Sequence, residues 1–238
     1  GLTVSNTVMM FDHEPLAAAF GQDGTQAWGG IAVGTTHLEN IFIWPDGSMV
    51  THNIGTQAIF GPVFDANGCD LAGDKTNAEG IEWCAGYVGH GKQTFTVKTD
   101  ACYLKVSLIV SDVSGAGDIA IGFRLQEDFQ DTIEGYRDYQ ALSIDAGTIM
   151  HMQEIDAGSP IDADSGGTVA NQVEVELEVR INADRTVEFF IDGDTPGTEV
   201  THTWADAADE ITPFLFILHD TDVAGPVYVT RWECGLQN

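Results

Sequence analysis

Several groups of residues have the types and spacing from which chemistry can be built. Glu154-Ile155-Asp156 sets two carboxylates two residues apart, and strand alternation aims such a pair at one surface. Retaining hydrolysis of a glycosidic bond needs a nucleophile and a separate acid/base. At the two usual spacings the acid/base position holds Gly158 or Ser159, so these are expected to be solvent-facing acids. Asp164-Ser165-Gly166-Gly167 is composed like a protease nucleophile segment, but such a serine requires a His base and an orienting Asp. No upstream His has that setting, and turn chemistry explains the four residues. The run GYVGHGK at 86–92 has phosphate-loop glycines, yet Gln93 stands where Ser or Thr would bind magnesium. A strand, 94–98, is expected to follow where a helix should open, which makes the run a glycine-rich turn.

Oxygen ligands for calcium gather twice, at Asp156, Asp162 and Asp164 and at Asp65, Asn67, Asp70 and Asp74. Counted from Asp162, the twelfth position of a calcium loop holds Val173 and not the bidentate Glu. The seven His show no paired metal spacing, and Cys69, Cys84, Cys102 and Cys234 form no Cys-x-x-Cys, so zinc is not expected. The cysteines are expected to be buried or idle thiols, with a Cys69–Cys84 clasp as the alternative. Trp28, Trp44, Trp83 and Trp204 fall near expected loops or strand ends. Core packing is the default for each, and stacking on a sugar is the alternative. No catalytic, cofactor-binding or metal residue is therefore nominated, and the chain is expected not to be an enzyme.

The charge bounds the partners. Thirty-seven acidic residues against 9 Lys plus Arg give a net charge of −28 over 238 residues. Nucleic acid is an unsuitable partner without a basic cluster, as is an anionic membrane. An apolar content of 43% is that of a folded chain, and no stretch approaches the roughly 18 apolar residues of a membrane span.

The elements that must position these groups are strands. Residues 172–182 alternate, with Val173, Val175, Leu177, Val179 and Ile181 on one face and Glu174, Glu176, Glu178 and Arg180 on the other. After the Ala183-Asp184-Arg185 turn, Val187, Phe189 and Ile191 resume the inward face, making a hairpin. Cys102, Leu104, Val106, Leu108 and Val110 alternate likewise, and with Ile119, Ile121, Phe123 and Leu125 they suggest a second hairpin. Further strands are expected at 141–144, 148–155, 214–219 and 227–233. The run 214–218 is apolar on both faces, as in a strand covered on both sides. Segments 40–44, 49–53 and 57–60 are weaker strand candidates, 64–91 a loop region, and 13–20 a short helix with Pro15 in its first turn. The fold class expected is all-β: a jelly-roll β-sandwich over 31–238, as a single domain, behind an N-terminal arm or cap over 1–30.

Residues 91–238 resemble a family of tailed-phage virion proteins, typified by those of marine cyanophages, with a concanavalin- or laminin-G-like jelly roll. The resemblance rests on the order of FTVKTD at 95–100, DIAIGFR at 118–124, 136–142, VEFFIDG at 187–193, PFLFI at 213–217 and WECGLQ at 232–237. It implies a capsid decoration or cement protein on the outside of a phage head, made in the host cytoplasm. The partners implied are the major capsid protein and neighbouring copies of itself. High negative charge suits such a place, limiting aggregation between particles. Met9, Met10, Phe11 and Phe20 are the candidate capsid or self-association contacts, or else they cap the protein's own core. The alternative function on the same fold is a lectin-like module that recognises host-surface carbohydrate.

Overall fold

The computed structural model describes residues 50–56, 63–65, 68–70, 76–84, 94–154, 161–198, 202–204, 206–219 and 226–237. Its strands are β1 (Val50–Ile54), β2 (Val63–Asp65), β3 (Gly68–Asp70), β4 (Gly80–Cys84), β5 (Phe95–Thr96), β6 (Cys102–Val110), β7 (Ala116–Leu125) and β8 (Tyr139–Asp145). They continue with β9 (Thr148–Glu154), β10 (Ile161–Thr168), β11 (Glu174–Ile181), β12 (Thr186–Ile191), β13 (His202–Thr203), β14 (Glu210–His219) and β15 (Val227–Leu236). An eight-stranded sheet runs β1-β4-β14-β7-β8-β9-β10, with β5 also beside β14. A seven-stranded sheet runs β13-β12-β11-β6-β15-β3-β2. Every pairing is antiparallel.

The sheets face each other across one apolar core. Leu104, Val106 and Leu108 of β6 and Val175, Leu177 and Val179 of β11 meet Ile119, Ile121, Leu142, Ile144, Leu215 and Ile217 of the other sheet. Trp83 and Trp232 pack together with ring centroids 5.4 Å apart, a contact worth about 1 kcal/mol beyond its buried area. Period-two alternation accounts for this layer, because each strand gives every second side chain to it.

The outward face of the eight-stranded sheet is also buried at its centre. Phe214, Phe216, Ala120, Ala141, Cys84 and Met152 lie under Ile133 and Tyr136, with Phe129 packed against them, in a second apolar cluster. The cover is the segment 126–138, which crosses this face and contains a 3-10 turn at Ile133–Gly135. That is why 214–218 is apolar on both sides: Leu215 and Ile217 enter the main core, whereas Phe214 and Phe216 enter the second cluster.

The expected strands at 49–53, 141–144, 148–155, 214–219 and 227–233 appear as β1, β8, β9, β14 and β15, with ends shifted by a few residues. The β11–β12 hairpin appears as well, with Ile181 opposite Val187. Val173 is a correction: it lies outside β11 and is 53% exposed. The second expected hairpin is also corrected. β6 pairs with β11 and β15, and β7 with β8 and β14, so residues 111–115 carry the chain from one sheet to the other. Both strands face the same core, and identical alternation does not distinguish pairing beside from packing across. The loop expected over 64–91 contains β2, β3 and the wholly buried β4. The acidic stretch 161–168 is an edge strand with a bulge between Asp164 and Gly167. The helix at 13–20, the strands at 40–44 and 57–60, and Met9, Met10, Phe11 and Phe20 lie outside the described residues.

Candidate functional site

The outward face of the eight-stranded sheet holds a closed polar network. Ladder pairing carries Glu82 and Arg124 to the same outward side as Phe216 and Thr212, respectively. Arg124 Nε donates to Glu82 Oε1 at 2.6 Å, and both side chains are fully buried. Its other nitrogens donate to the Leu125 carbonyl at 2.9 Å and the Cys84 sulfur at 3.7 Å. The guanidinium lies over the Tyr136 ring, 4.4 Å from its centroid, and the Tyr136 hydroxyl donates to Glu82 Oε2. Burial pushes the Tyr136 phenol up, with the Glu82 charge adding to the effect. Both oxygens of Glu82 are thus engaged. The network fastens the 126–138 cover to the sheet and leaves no carboxylate oxygen of Glu82 free for catalysis.

Beyond the cover, towards the sheet edge, the same face changes character. Asp162 pairs with Met152 and Asp164 with Met150, which places two carboxylates on the rim of a floor whose accessible part is Met150, since Met152 is buried under the cover. Asp162 and Asp164 are exposed, Met150 is half-buried and Met152 is buried. Across the floor stands the cover's Glu134. Burial raises the Asp162 pKa, with Glu134 and then Asp145 adding charge repulsion. Glu154, at the end of β9 on the same face, is raised first by burial and then by Asp138, Glu134 and Glu127. The strip therefore offers carboxylate acceptors beside an apolar floor, an arrangement that takes a ligand with hydroxyl donors on one side and C–H groups on another.

A second polar group lies between the sheets on their open side. His151 of β9 and His202 of β13 are each about 1% exposed, and their ring centroids are 5.9 Å apart. Phe189 of β12 touches both, at 4.7 Å from His151 and 5.1 Å from His202. His202 Nδ1 is hydrogen-bonded to Gln153 Oε1. Burial lowers both imidazoles, His202 to about 4 with the neighbouring His151 contributing, whereas Asp164 partly counteracts the effect on His151.

The groups nominated from sequence fare differently. Glu154 is 5% exposed at its strand end, so it is not a solvent-facing acid; Asp156, Gly158 and Ser159 lie outside the described residues. Ser165 is fully buried and donates to the Ile149 carbonyl at 2.6 Å, while its oxygen accepts the Gly167 N–H at 3.1 Å. It ties the β10 bulge and is no nucleophile. Asp164 accepts from the Gly166 N–H at 2.7 Å, the local turn chemistry expected of Asp-Ser-Gly-Gly. Trp83 and Trp204 are 2% and 1% exposed, which removes both as sugar platforms, and Trp204 Nε1 donates to Asp209 at 2.8 Å. Trp28, Trp44 and the 86–92 glycines are outside the described residues, as are Asn67 and Asp74. Cys84, Cys102 and Cys234 are buried and in no disulfide, so the Cys69–Cys84 clasp is not formed; the two residues belong to different sheets. Among the described residues no three His, Cys, Asp or Glu are grouped to hold a metal ion.

Sequence reasoning missed the Glu82–Arg124–Tyr136 network and the His151–His202 pair. A signal existed for Arg124, a charged residue that shares its strand face with the small Ala120 and Gly122. For the histidines there was none, since 50 residues of chain separate two positions that only sheet stacking unites.

No family model matches the sequence, and no curated protein matches it. Solved structures do. The Emp46p carbohydrate recognition domain in its potassium-bound form superposes with a TM-score of 0.55 at 7% identity, covering 77% of this chain and 87% of that one. The Emp47p carbohydrate recognition domain gives 0.51 at 11%, covering 79% and 89%. A protein of unknown function from Shewanella oneidensis MR-1, SO2946, gives 0.57 at 12% and covers 99% of this chain and 89% of that one. Together with the two stacked antiparallel sheets, these likenesses establish a concanavalin-like jelly-roll β-sandwich.

Proposed function

We propose that the chain is a non-enzymatic carbohydrate-binding module whose contact surface is the strip over β9 and β10. The observation that carries this reading is the pair of exposed carboxylates Asp162 and Asp164 beside the half-buried Met150. A sugar presents hydroxyl donors to carboxylates and a C–H face to apolar side chains, and charge-assisted hydrogen bonds of this kind are the stronger ones. The likeness to two carbohydrate recognition domains supports it at the level of fold. Screening on a glycan array followed by calorimetry tests the proposal. Asp162→Asn should weaken binding about tenfold, as loss of a charge-assisted bond does. If no glycan is retained, or if binding is unchanged in the Asp162→Asn/Asp164→Asn double variant, the reading falls.

A second reading, a decoration protein on a phage head, is supported by the net charge of −28 and by the resemblance of residues 91–238 to phage virion proteins. Its partners would be the major capsid protein and neighbouring copies, and its place the capsid exterior. Purified chain mixed with capsids that lack it should bind them. Failure to bind removes this reading and leaves the carbohydrate proposal untouched.

A further inference from the structure

We propose that His151 and His202 form a binding site for a borderline transition-metal ion, of the zinc or cobalt class, that clips β9 of one sheet to the edge strand β13 of the other. The observation behind it is an unbalanced hydrogen-bond inventory. Both ring nitrogens of His151 and the Nε2 of His202 are buried without a partner. Buried polar atoms in native proteins are almost always satisfied, and exceptions call for an ion, a water or a functional role.

The hydrogen bond between His202 Nδ1 and Gln153 Oε1 fixes the tautomer. An amide oxygen only accepts, so Nδ1 must carry the proton and Nε2 must carry the lone pair. This is the outer-shell arrangement that orients a metal-ligating imidazole. A neutral His151 supplies a second lone pair. Two imidazoles that share one ion at about 2.0–2.1 Å from each nitrogen place their ring centroids roughly 5–6 Å apart, and the observed separation is 5.9 Å. A third donor is close by. Gln140, 1% exposed, pairs directly with Gln153 in the β8–β9 ladder, and its Oε1 is buried without a partner.

The donor set of two imidazoles and an amide oxygen favours borderline ions over calcium or magnesium, which take oxygen ligands. Burial that keeps both rings neutral removes proton competition at neutral pH. Phe189, packed against both rings, limits their rotation and lowers the ordering cost of closing the site.

The test uses the full chain without a polyhistidine tag, stripped with chelator and titrated with zinc chloride or cobalt chloride. At a hundredfold excess over Kd, zinc should raise Tm by about 5 °C or more. In a long-range proton–nitrogen spectrum of the seven histidines, two imidazoles should change, identified by their contacts to the Phe189 ring. His151→Gln and His202→Gln should each weaken zinc binding at least tenfold, as ligand loss does. Magnesium and calcium should leave Tm unchanged. The proposal is overturned if zinc leaves Tm unchanged, if the shifted imidazoles do not contact Phe189, or if both variants bind zinc as the parent does. The spectrum is taken on the unmodified chain, so it decides the matter even if a variant fails to fold.

Discussion

Arg124 and Glu82 show how costly a side chain this fold accepts. Two fully buried charges lose their hydration, and the loss is offset only because each nitrogen and oxygen has a partner. Arg124→Met should therefore destabilise the protein by about 3–5 kcal/mol, because it strands the Glu82 charge. Adding Glu82→Gln should recover much of that loss, since the Tyr136 hydroxyl can still donate to the amide oxygen. Urea midpoints of the two single variants and the double variant give the coupling, and strict additivity would show that the pair does not act as a unit. His202 makes a second residue-scale prediction. Its pKa is about 4 when folded and about 6.5 when unfolded. The folded state therefore resists a proton that the unfolded state accepts, so its contribution is complete above about pH 6.5 and is lost as pH falls towards 4. The full effect is about 3 kcal/mol. Burial raises Glu154 and Asp162, carboxylates that become more favourable as they gain a proton, so they oppose this slope. The comparison must be with His202→Gln, which keeps a donor for Gln153. Between pH 6.5 and 4 the parent should lose more stability than the variant, and parallel curves would refute the assignment.

Elements are where the sequence and the fold part company. The strands β6 and β11 were legible because alternation reports which face is buried, and β14 because its apolar run is too short for a helix and bounded by turns. Which strands are neighbours was not, and the β6–β7 pair shows why: inward alternation is the same for two strands of one sheet and for two strands stacked across the core. β4 was hidden for another reason. Its five residues Gly80, Ile81, Glu82, Trp83 and Cys84 are buried on both faces, so they show no hydrophobic period, and Glu82 and Gly80 look like loop residues. Gly80 is there because a Cβ would lie 2.1 Å from the Ile217 carbonyl of the paired strand. β10 was read as an acidic turn because its bulge interrupts the alternation. At this scale Gly122 gives a sharp prediction. A Cβ on Gly122 would lie 2.1 Å from the Gln140 carbonyl and 2.7 Å from the Ala141 Cα, both in the adjacent strand β8. Gly122→Ala must therefore move backbone, costing about 3 kcal/mol or more. Gly193 has a φ of +84° and nothing within 4 Å of its Cβ position, so Gly193→Ala should cost only about 1–2 kcal/mol, from conformation alone. Denaturation midpoints of the two variants check the ranking, and a reversed order would mean that the strands β7 and β8 separate more easily than their register implies.

Over the whole molecule the question is where a net charge of −28 acts. On the outward face of the seven-stranded sheet the three cations are each paired with acids, while Glu174 and Glu188 on the same face add to the surplus. Lys105 lies 3.1 Å from both Glu176 and Glu178, Arg180 meets Glu178 at 2.5 Å, and Arg231 reaches Glu176 at 3.3 Å and Glu233 at 2.5 Å. Arg124 and Arg137 are paired with Glu82 and Asp138. With so many of the nine basic residues already committed, the rest of the unbalanced charge belongs to the loops, the edges and the β9–β10 strip. Two effects of salt then compete. Screening weakens the pairs on the seven-stranded sheet, each worth under about 1 kcal/mol where exposed, and it weakens the repulsion among the surplus acids. The Debye length is about 30 Å at 0.01 M and about 8 Å at 0.15 M. A chain of this size has a radius of gyration near 18 Å, by the usual scaling, about midway between those lengths. At low salt every surplus acid feels the others across the molecule, whereas at 0.15 M only near neighbours interact. The pairs at 2.5–3.3 Å lie far inside both lengths and change little. Repulsion should therefore dominate, and Tm should rise steadily as sodium chloride goes from 0.01 to about 0.15 M. Calorimetry in a buffer at fixed pH, with chelator present to hold the His151–His202 pair metal-free, measures it. A fall in Tm over that range would mean that the Lys105, Arg180 and Arg231 pairs outweigh the surplus charge, and that the acids are far enough apart for the fold not to feel them.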